Sequence, residues 1–317
     1  MRPIIPFRSH PIYTGYYFIQ TNSINKLSNE IIRWIDNRNP GGIIYGRARI
    51  GKTRAIHTLI NNLYDLYGED LPILVLNMSA HKVSEKFLYL EILSDIGHAF
   101  ASSKRTVTEL KNTLLNYLIS LGKSSTMNRI IIFIDEANFL LQDDYNYLMD
   151  IYNRLERSKV QMTVILVGTE DIISNKQIFL QLNKQQIVGR FMVREHQFKG
   201  IQNIIDLQVS MASYDYSEYP DNSGWSFTKY FFPEAFEAGK RIASDASLLF
   251  ECFIELNKVP KFEIPMMYIT STIENCFRRY GSDGENLFFP SKEEWHQSII
   301  DSGYIVAESL FESCISK

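Results

Sequence analysis

Gly46-Arg47-Ala48-Arg49-Ile50-Gly51-Lys52-Thr53 follows Ile43-Ile44-Tyr45 and precedes apolar residues at Ile56, Leu59, Ile60, Leu63 and Leu66. The octet fits G-x-x-x-x-G-K-[ST]. It lies between a short buried strand and an amphipathic helix, where a phosphate-binding loop has to be. Backbone N–H groups of such a loop wrap phosphates, helped by the positive end of the following helix. Lys52 would reach the β- and γ-phosphates, and the Thr53 hydroxyl would bind Mg²⁺. The run from Gly46 through Arg54 is the expected nucleotide cradle.

The pattern continues on either side. Short apolar strands are expected at 73–76, 130–134, 164–167 and 192–198, with helices near 84–100, 107–121 and 143–157. Near-continuous apolar strands separated by helices imply an α/β fold with a parallel sheet covered on both faces. Upstream, Ser23 would cap a helix carrying Ile24, Leu27, Ile31, Trp34 and Ile35. Asn39-Pro40-Gly41-Gly42 would then stop it. Beyond residue 200 the strands cease. Helical patterns near 201–213, 233–257 and 264–280 flank a polar, aromatic loop over 214–226. The expected organisation is an arm laid on the surface (1–22), a P-loop α/β domain (23–200), and a helical lid with a tail (201–317).

Composition narrows the class. With 317 residues, 45% hydrophobic and 22% charged, the chain reads as an ordinary globular protein of one large and one smaller domain. No run of 18 apolar residues exists, so no membrane span is expected. The N-terminus lacks a signal-peptide pattern. The three cysteines have no C-x-x-C spacing, and the six histidines have no metal-ligand spacing. All this points to reduced thiols and a cytoplasmic protein. A net charge of −3 does not advertise nucleic acid, although a local basic lining would suffice for it.

A second chemical signal is Ile130-Ile131-Ile132-Phe133-Ile134-Asp135-Glu136. At the end of a buried strand, Asp135 would hold Mg²⁺ directly or through water. Glu136 would orient and polarise the attacking water. The strand ending in Gly168 is followed by Thr169, placed where a polar side chain touches the γ-phosphate or the water. Gly189-Arg190-Phe191 precedes the last strand. Arg190, with Arg194 as its rival, is the candidate arginine finger for a neighbouring subunit's ATP.

Lys82, Lys86, Lys104, Arg105, Lys111 and Lys123 are interspersed with Ser102, Ser103, Ser124 and Ser125. Lysines mixed with hydroxyls suit sugar–phosphate contacts that read no bases. Lys104, Arg105 and Lys123 are the DNA-contact candidates. A solvated helix face is the plainer explanation of the same residues.

With these motifs in order, the chain resembles the AAA+ ATPases. It looks most like transposition regulators of the TnsC and TniB type, relatives of the Mu B protein. Ile50-Gly51-Lys52-Thr53, Ile134-Asp135-Glu136-Ala137, Val167-Gly168-Thr169 and Gly189-Arg190-Phe191 carry the likeness, which spans roughly 24–280. The resemblance implies a parallel sheet of order 5-1-4-3-2 with a small C-terminal helical lid, binding ATP and Mg²⁺. It implies a ring or filament of copies on duplex DNA in the prokaryotic cytosol. It also implies recruitment of a transposase and a link to a target-selection complex, RNA-guided in CRISPR-associated transposons. Initiator-type and signalling AAA+ proteins share the ATPase motifs, so an NTPase acting on protein partners is the alternative. The compact length and the lack of a C-terminal winged-helix pattern favour the transposition group. Two departures suggest slow, switch-like hydrolysis. Arg49 stands where many such loops have glycine. A second-sensor arginine is not evident in the lid, where Lys261 is the nearest basic candidate.

Overall fold

The computed structural model describes residues 2–102, 104–257, 263–281 and 288–315. Five strands, β1 (Gly41–Tyr45), β2 (Ile73–Asn77), β3 (Arg129–Asp135), β4 (Gln161–Gly168) and β5 (Arg194–Gln197), form one sheet of order β2-β3-β4-β1-β5. This is the expected order read from the other edge. Every neighbouring pair is parallel. Helices follow in chain order: α1 (Pro11–Thr14), α2 (Asn22–Asp36), α3 (Lys52–Tyr67), α4 (Glu85–Asp95), α5 (Val107–Ser124), α6 (Gln142–Arg157), α7 (Asp171–Gln181) and α8 (Gln185–Phe191). After β5 come α9 (Ile204–Tyr216), α10 (Phe227–Phe231), α11 (Pro233–Glu237), α12 (Ala246–Leu256), α13 (Met266–Tyr280), α14 (Lys292–Asp301) and α15 (Tyr304–Ile315).

The chain divides into two compact units. One comprises Lys26–Ala48 and Lys52–Phe198. The other comprises Met1–Asn25, Arg49–Gly51 and Lys199–Lys317. In the sheet unit β3 is buried along its whole length. That is why its sequence is a solid apolar run rather than an alternation. Ile132, Ile134, Leu114, Leu118, Leu148 and Ile151 meet in its core. The helical unit is held by aromatic rings, among them Tyr214, Phe227, Phe231, Phe253, Phe277 and Trp295. Ile12 and His10, from the residues expected as a surface arm, are fully buried within this unit.

Several local expectations change. The helix expected to be capped by Ser23 is α2, which begins at Asn22, and the Thr21 hydroxyl accepts the Ile24 N–H at 3.2 Å. Gly41 and Gly42 belong to β1 and not to a turn. A Cβ on Gly41 would lie 2.6 Å from the Val164 carbonyl oxygen, and one on Gly42 2.5 Å from the Trp34 ring. The glycine pair is therefore a close-approach requirement inside the sheet. The helix expected over 233–257 is three pieces. Gly239, at φ 86°, follows α11, and a 3₁₀ turn (Ile242–Asp245) precedes α12. Helices α14 and α15 are additional to the expected ones.

The sheet sets two functional edges. Tyr45, Asp135 and Gly168 end β1, β3 and β4 at the carboxyl edge, while Gly41, Arg129 and Gln161 start them at the other. At 3.2–3.4 Å per residue, the ends of β3 stand about 20 Å apart.

Candidate nucleotide site

The loop after β1 is anchored by Ile50, which is buried, and opens α3 at Lys52. Lys52 Nζ donates to the carbonyl oxygens of Gly46 (2.9 Å) and Arg47 (2.8 Å), so the ammonium braces the loop from within. Burial pushes its pKa below the ordinary lysine range, against the pull of Glu136, Asp135 and Glu170. Arg49 has φ 62° and Gly51 φ 103°. The left-handed backbone at Arg49 explains why glycine suits this position, and an arginine holds it at a cost of about 1 kcal/mol. Its guanidinium donates to the Tyr268 hydroxyl at 3.4 Å.

Thr53 Oγ1 donates to Asp135 Oδ2 at 2.7 Å. The other carboxylate oxygen, Oδ1, accepts the Glu136 N–H at 2.9 Å, and Asp135 is buried. Two oxygens from separate motifs thus stand together at the carboxyl edge. Adjacent ligands of octahedral Mg²⁺ sit about 3 Å apart, so this pair fits the ion with little adjustment. No group of three or more His, Cys, Asp or Glu that could hold a metal exists among the described residues. A Mg²⁺ here would draw its remaining ligands from nucleotide oxygens and water, as this ion does. Glu136 follows Asp135 at φ 52° and is exposed, outside the strand and free to address solvent.

Thr169 is half-buried at the end of β4, and its hydroxyl donates to Asp171 Oδ2 at 2.9 Å. A sensing role would require that bond to be exchanged. Arg47 is half-buried, while Ala48 and Arg54 are exposed. Arg190 closes α8 with its guanidinium 4.6 Å from the Tyr152 ring centre and donating to Asn153 Oδ1. A Cβ on Gly41 would meet the Arg190 carbonyl oxygen, which puts Arg190 at the amino edge. It is separated from its own nucleotide loop by the length of β1, about 15 Å. Arg194 is exposed at the start of β5. Lys261 and Ser103 lie outside the described residues.

The basic set divides. Lys104 is exposed, and Arg105 lies 4.5 Å over the Phe100 ring, both just ahead of α5. Lys123 is in the last turn of α5, a helix of 18 residues, which places it about 25 Å from that pair. The three cannot form one patch. Lys111 is held by Glu85 (3.2 Å) and Asp150 (2.9 Å), which raise its pKa, and is committed within the chain.

Two further residues stand at this edge outside the motifs. Asn138 Oδ1 accepts the Thr169 N–H at 3.4 Å, and a Cβ on Gly168 would lie 2.9 Å from it, so Asn138 bridges the ends of β3 and β4. Its signal in the sequence is an amide three residues after Asp135. Glu170 acts electrostatically on both Lys52 and Tyr45, which marks it as a further acid at this edge.

Residues 36–174 match the family described as AAA domain. The fold is similar to the ORC2 protein of Aeropyrum pernix in its ADP form, with a TM-score of 0.58 at 10% identity. That likeness covers 91% of this chain and 70% of that one. The ADPNP–ADP complexes of that protein give 0.53 at 9% identity, covering 92% and 71%. The Walker-type ATPase of Pyrococcus abyssi gives 0.51 at 13%, covering 92% and 73%. No curated protein matches the chain. No helix among the described residues is long and apolar enough to cross a membrane. Over residues 36–174 the chain is therefore similar to the AAA-domain family, and its parallel sheet has the strand order of the AAA+ P-loop NTPase fold.

Proposed function

We propose that the protein is an ATP-dependent, DNA-binding regulator of transposition that assembles on duplex DNA and recruits a transposase to a selected target. The observation that carries the ATPase part is the Thr53–Asp135 contact at 2.7 Å, which brings the two expected Mg²⁺ ligands together. In this reading Lys52 neutralises the β- and γ-phosphates, Thr53 and Asp135 hold the ion, and Glu136 takes the attacking water's proton. A Mg²⁺ held there would supply charge neutralisation on the phosphate oxygens. Hydrolysis is slow and acts as a switch, consistent with Thr169 tied to Asp171.

The DNA part rests on the motif resemblance and on Lys104 and Arg105. These two precede the positive end of α5 on the sheet's nucleotide side. Replacing both by alanine is expected to weaken duplex binding equally on all sequences, since phosphate contacts carry no code. The salt slope should fall by roughly one to two units, about 0.9 for each phosphate no longer neutralised, with ATP binding retained. An unchanged slope measured on preassembled protein removes this pair from the DNA path. Absence of duplex affinity at low salt with ATP and Mg²⁺ leaves the second reading, an initiator-type or signalling NTPase acting on proteins. The ion-paired state of Lys111 and the overall charge of −3 favour that reading if the pair fails.

The position of Arg190 makes action on its own nucleotide sterically remote, which suits a finger that serves a neighbouring copy. Arg190→Ala should leave ATP binding by single chains intact while impairing assembly and turnover. Mixing Arg190→Ala with Lys52→Ala chains should restore part of the ATPase rate, because one mixed interface in the assembly is whole. Failure of the mixture, with Arg194→Ala reproducing the defect, transfers the role to Arg194.

A further inference from the structure

At the amino edge of the sheet, opposite the nucleotide loop, lies a cleft of about 390 Å³. Arg38, Arg129, Tyr152, Glu156, Lys159 and Gln161 line it, all within the sheet unit. Arg129 opens β3 and is only 3% exposed. One guanidinium nitrogen donates to the Ile35 carbonyl and another to Gln161 Oε1 at 2.6 Å. Its Nε has no hydrogen-bond partner among the described residues. Nor does any carboxylate form an ion pair with it among them. Asp36 makes its field felt there, but its Oδ1 accepts the Tyr67 hydroxyl at 2.7 Å. Burial and the like charge of Arg38 push the guanidinium pKa down. A buried charge is ordinarily compensated by an opposite one. Here no carboxylate among the described residues contacts the guanidinium, and Arg38 sets a like charge beside it.

Arg38 and Lys159 stand at the mouth, both exposed, and both hold left-handed backbone at φ 55° and 62°. Turns of that shape favour glycine or asparagine, so two long cations there are not explained by turn geometry. We propose that this cleft is a binding site for a small phosphate-bearing anion, gripped by Arg129 and closed over by Arg38 and Lys159. A guanidinium recessed this far excludes the phosphates of a duplex, which lie on the outside of a broad rod, but admits a free phosphate or phosphomonoester. Glu156 is the one carboxylate among the lining residues. Being exposed, it can turn to solvent or pair with Lys159 when the anion enters. Tyr152 lines the cleft and also carries Arg190 against its ring, so an occupied cleft bears on the edge where Arg190 sits.

The test uses the full chain carrying Lys52→Ala, so that phosphate has no hold in the nucleotide loop. Inorganic phosphate is titrated calorimetrically and by thermal shift against chloride at matched ionic strength, with a short duplex as a separate arm. Saturable binding of one phosphate per chain, with a rise in Tm, is expected. Arg129→Gln should weaken it roughly tenfold or more, the value of a charge-assisted contact. Because Arg129 also braces Ile35 and Gln161, a second variant guards the result. Arg38→Gln with Lys159→Gln should lower affinity several-fold while leaving the phosphate-free Tm unchanged. Absence of saturable phosphate binding overturns the site, as does undiminished affinity in that double variant. An equal Tm rise from chloride, or saturation by duplex alone, likewise overturns it.

Discussion

Lys52→Ala is expected to lower ATP affinity by a hundredfold or more and to abolish every step that depends on nucleotide. The ammonium is the loop's only lysine, and its partners in this structure are the carbonyls of Gly46 and Arg47. A charge-assisted contact is worth about 1.5–3 kcal/mol, and a lysine between two phosphates makes more than one. A second effect adds to this. Without the ammonium the Gly46 and Arg47 carbonyls lose this donor, so the loop is held less firmly in the conformation that nucleotide would meet. Calorimetric titration of ATP and of ADP on the variant checks the result. Affinity within threefold of the parent for both nucleotides would remove this loop from the site. A larger drop for ATP than for ADP would locate the ammonium at the γ-phosphate.

Some of this architecture is legible in the sequence because the physics that fixes it is local. The run Ile130–Ile134 reads as a strand buried on both faces, and β3 runs Arg129–Asp135. The Gly-Lys-Thr step binds phosphate usefully only at the start of a helix, and α3 begins at Lys52. Gly41-Gly42 misleads because a glycine pair serves equally as a turn or as a point of close packing. Only the Val164 carbonyl and the Trp34 ring decide between these. The helical unit resists for a similar reason. Its apolar residues are dense enough that the period does not reveal the breaks at Gly239 and Ile242.

Charged residues are the least legible, since a lysine's role depends on what faces it across the fold. Lys111 and Lys104 look alike in the sequence, yet one is locked between Glu85 and Asp150 and the other is exposed. Lys123 belongs to the same segment as Lys104, yet the length of α5 carries it to the other edge. Arg129 has the look of an ordinary polar start to a strand. Its burial beside Arg38 emerges only when α2 and β4 are brought against it.

Glu136→Gln should keep ATP binding while cutting steady-state hydrolysis by roughly 10²–10⁴-fold, the usual contribution of a positioned general base. Asp135, buried and bonded to Thr53, is untouched by the change, so the pair proposed to hold Mg²⁺ survives. The amide keeps the shape of the side chain but cannot take a proton from water. Glu136 is exposed and makes no side-chain bond to its own helix cap, so the substitution removes little from the fold. The left-handed backbone at φ 52° is tolerated by glutamine about as well as by glutamate. Its Tm should therefore match the parent, which separates a chemical defect from an unfolded one. If the proposed function holds, the same variant should accumulate in the ATP-bound state and form longer-lived assemblies with duplex DNA, because a switch that cannot hydrolyse is set but not reset. Hydrolysis near the parental rate would move the base to Glu170, whose field already reaches Lys52. Glu170→Gln, measured beside it, decides between the two carboxylates.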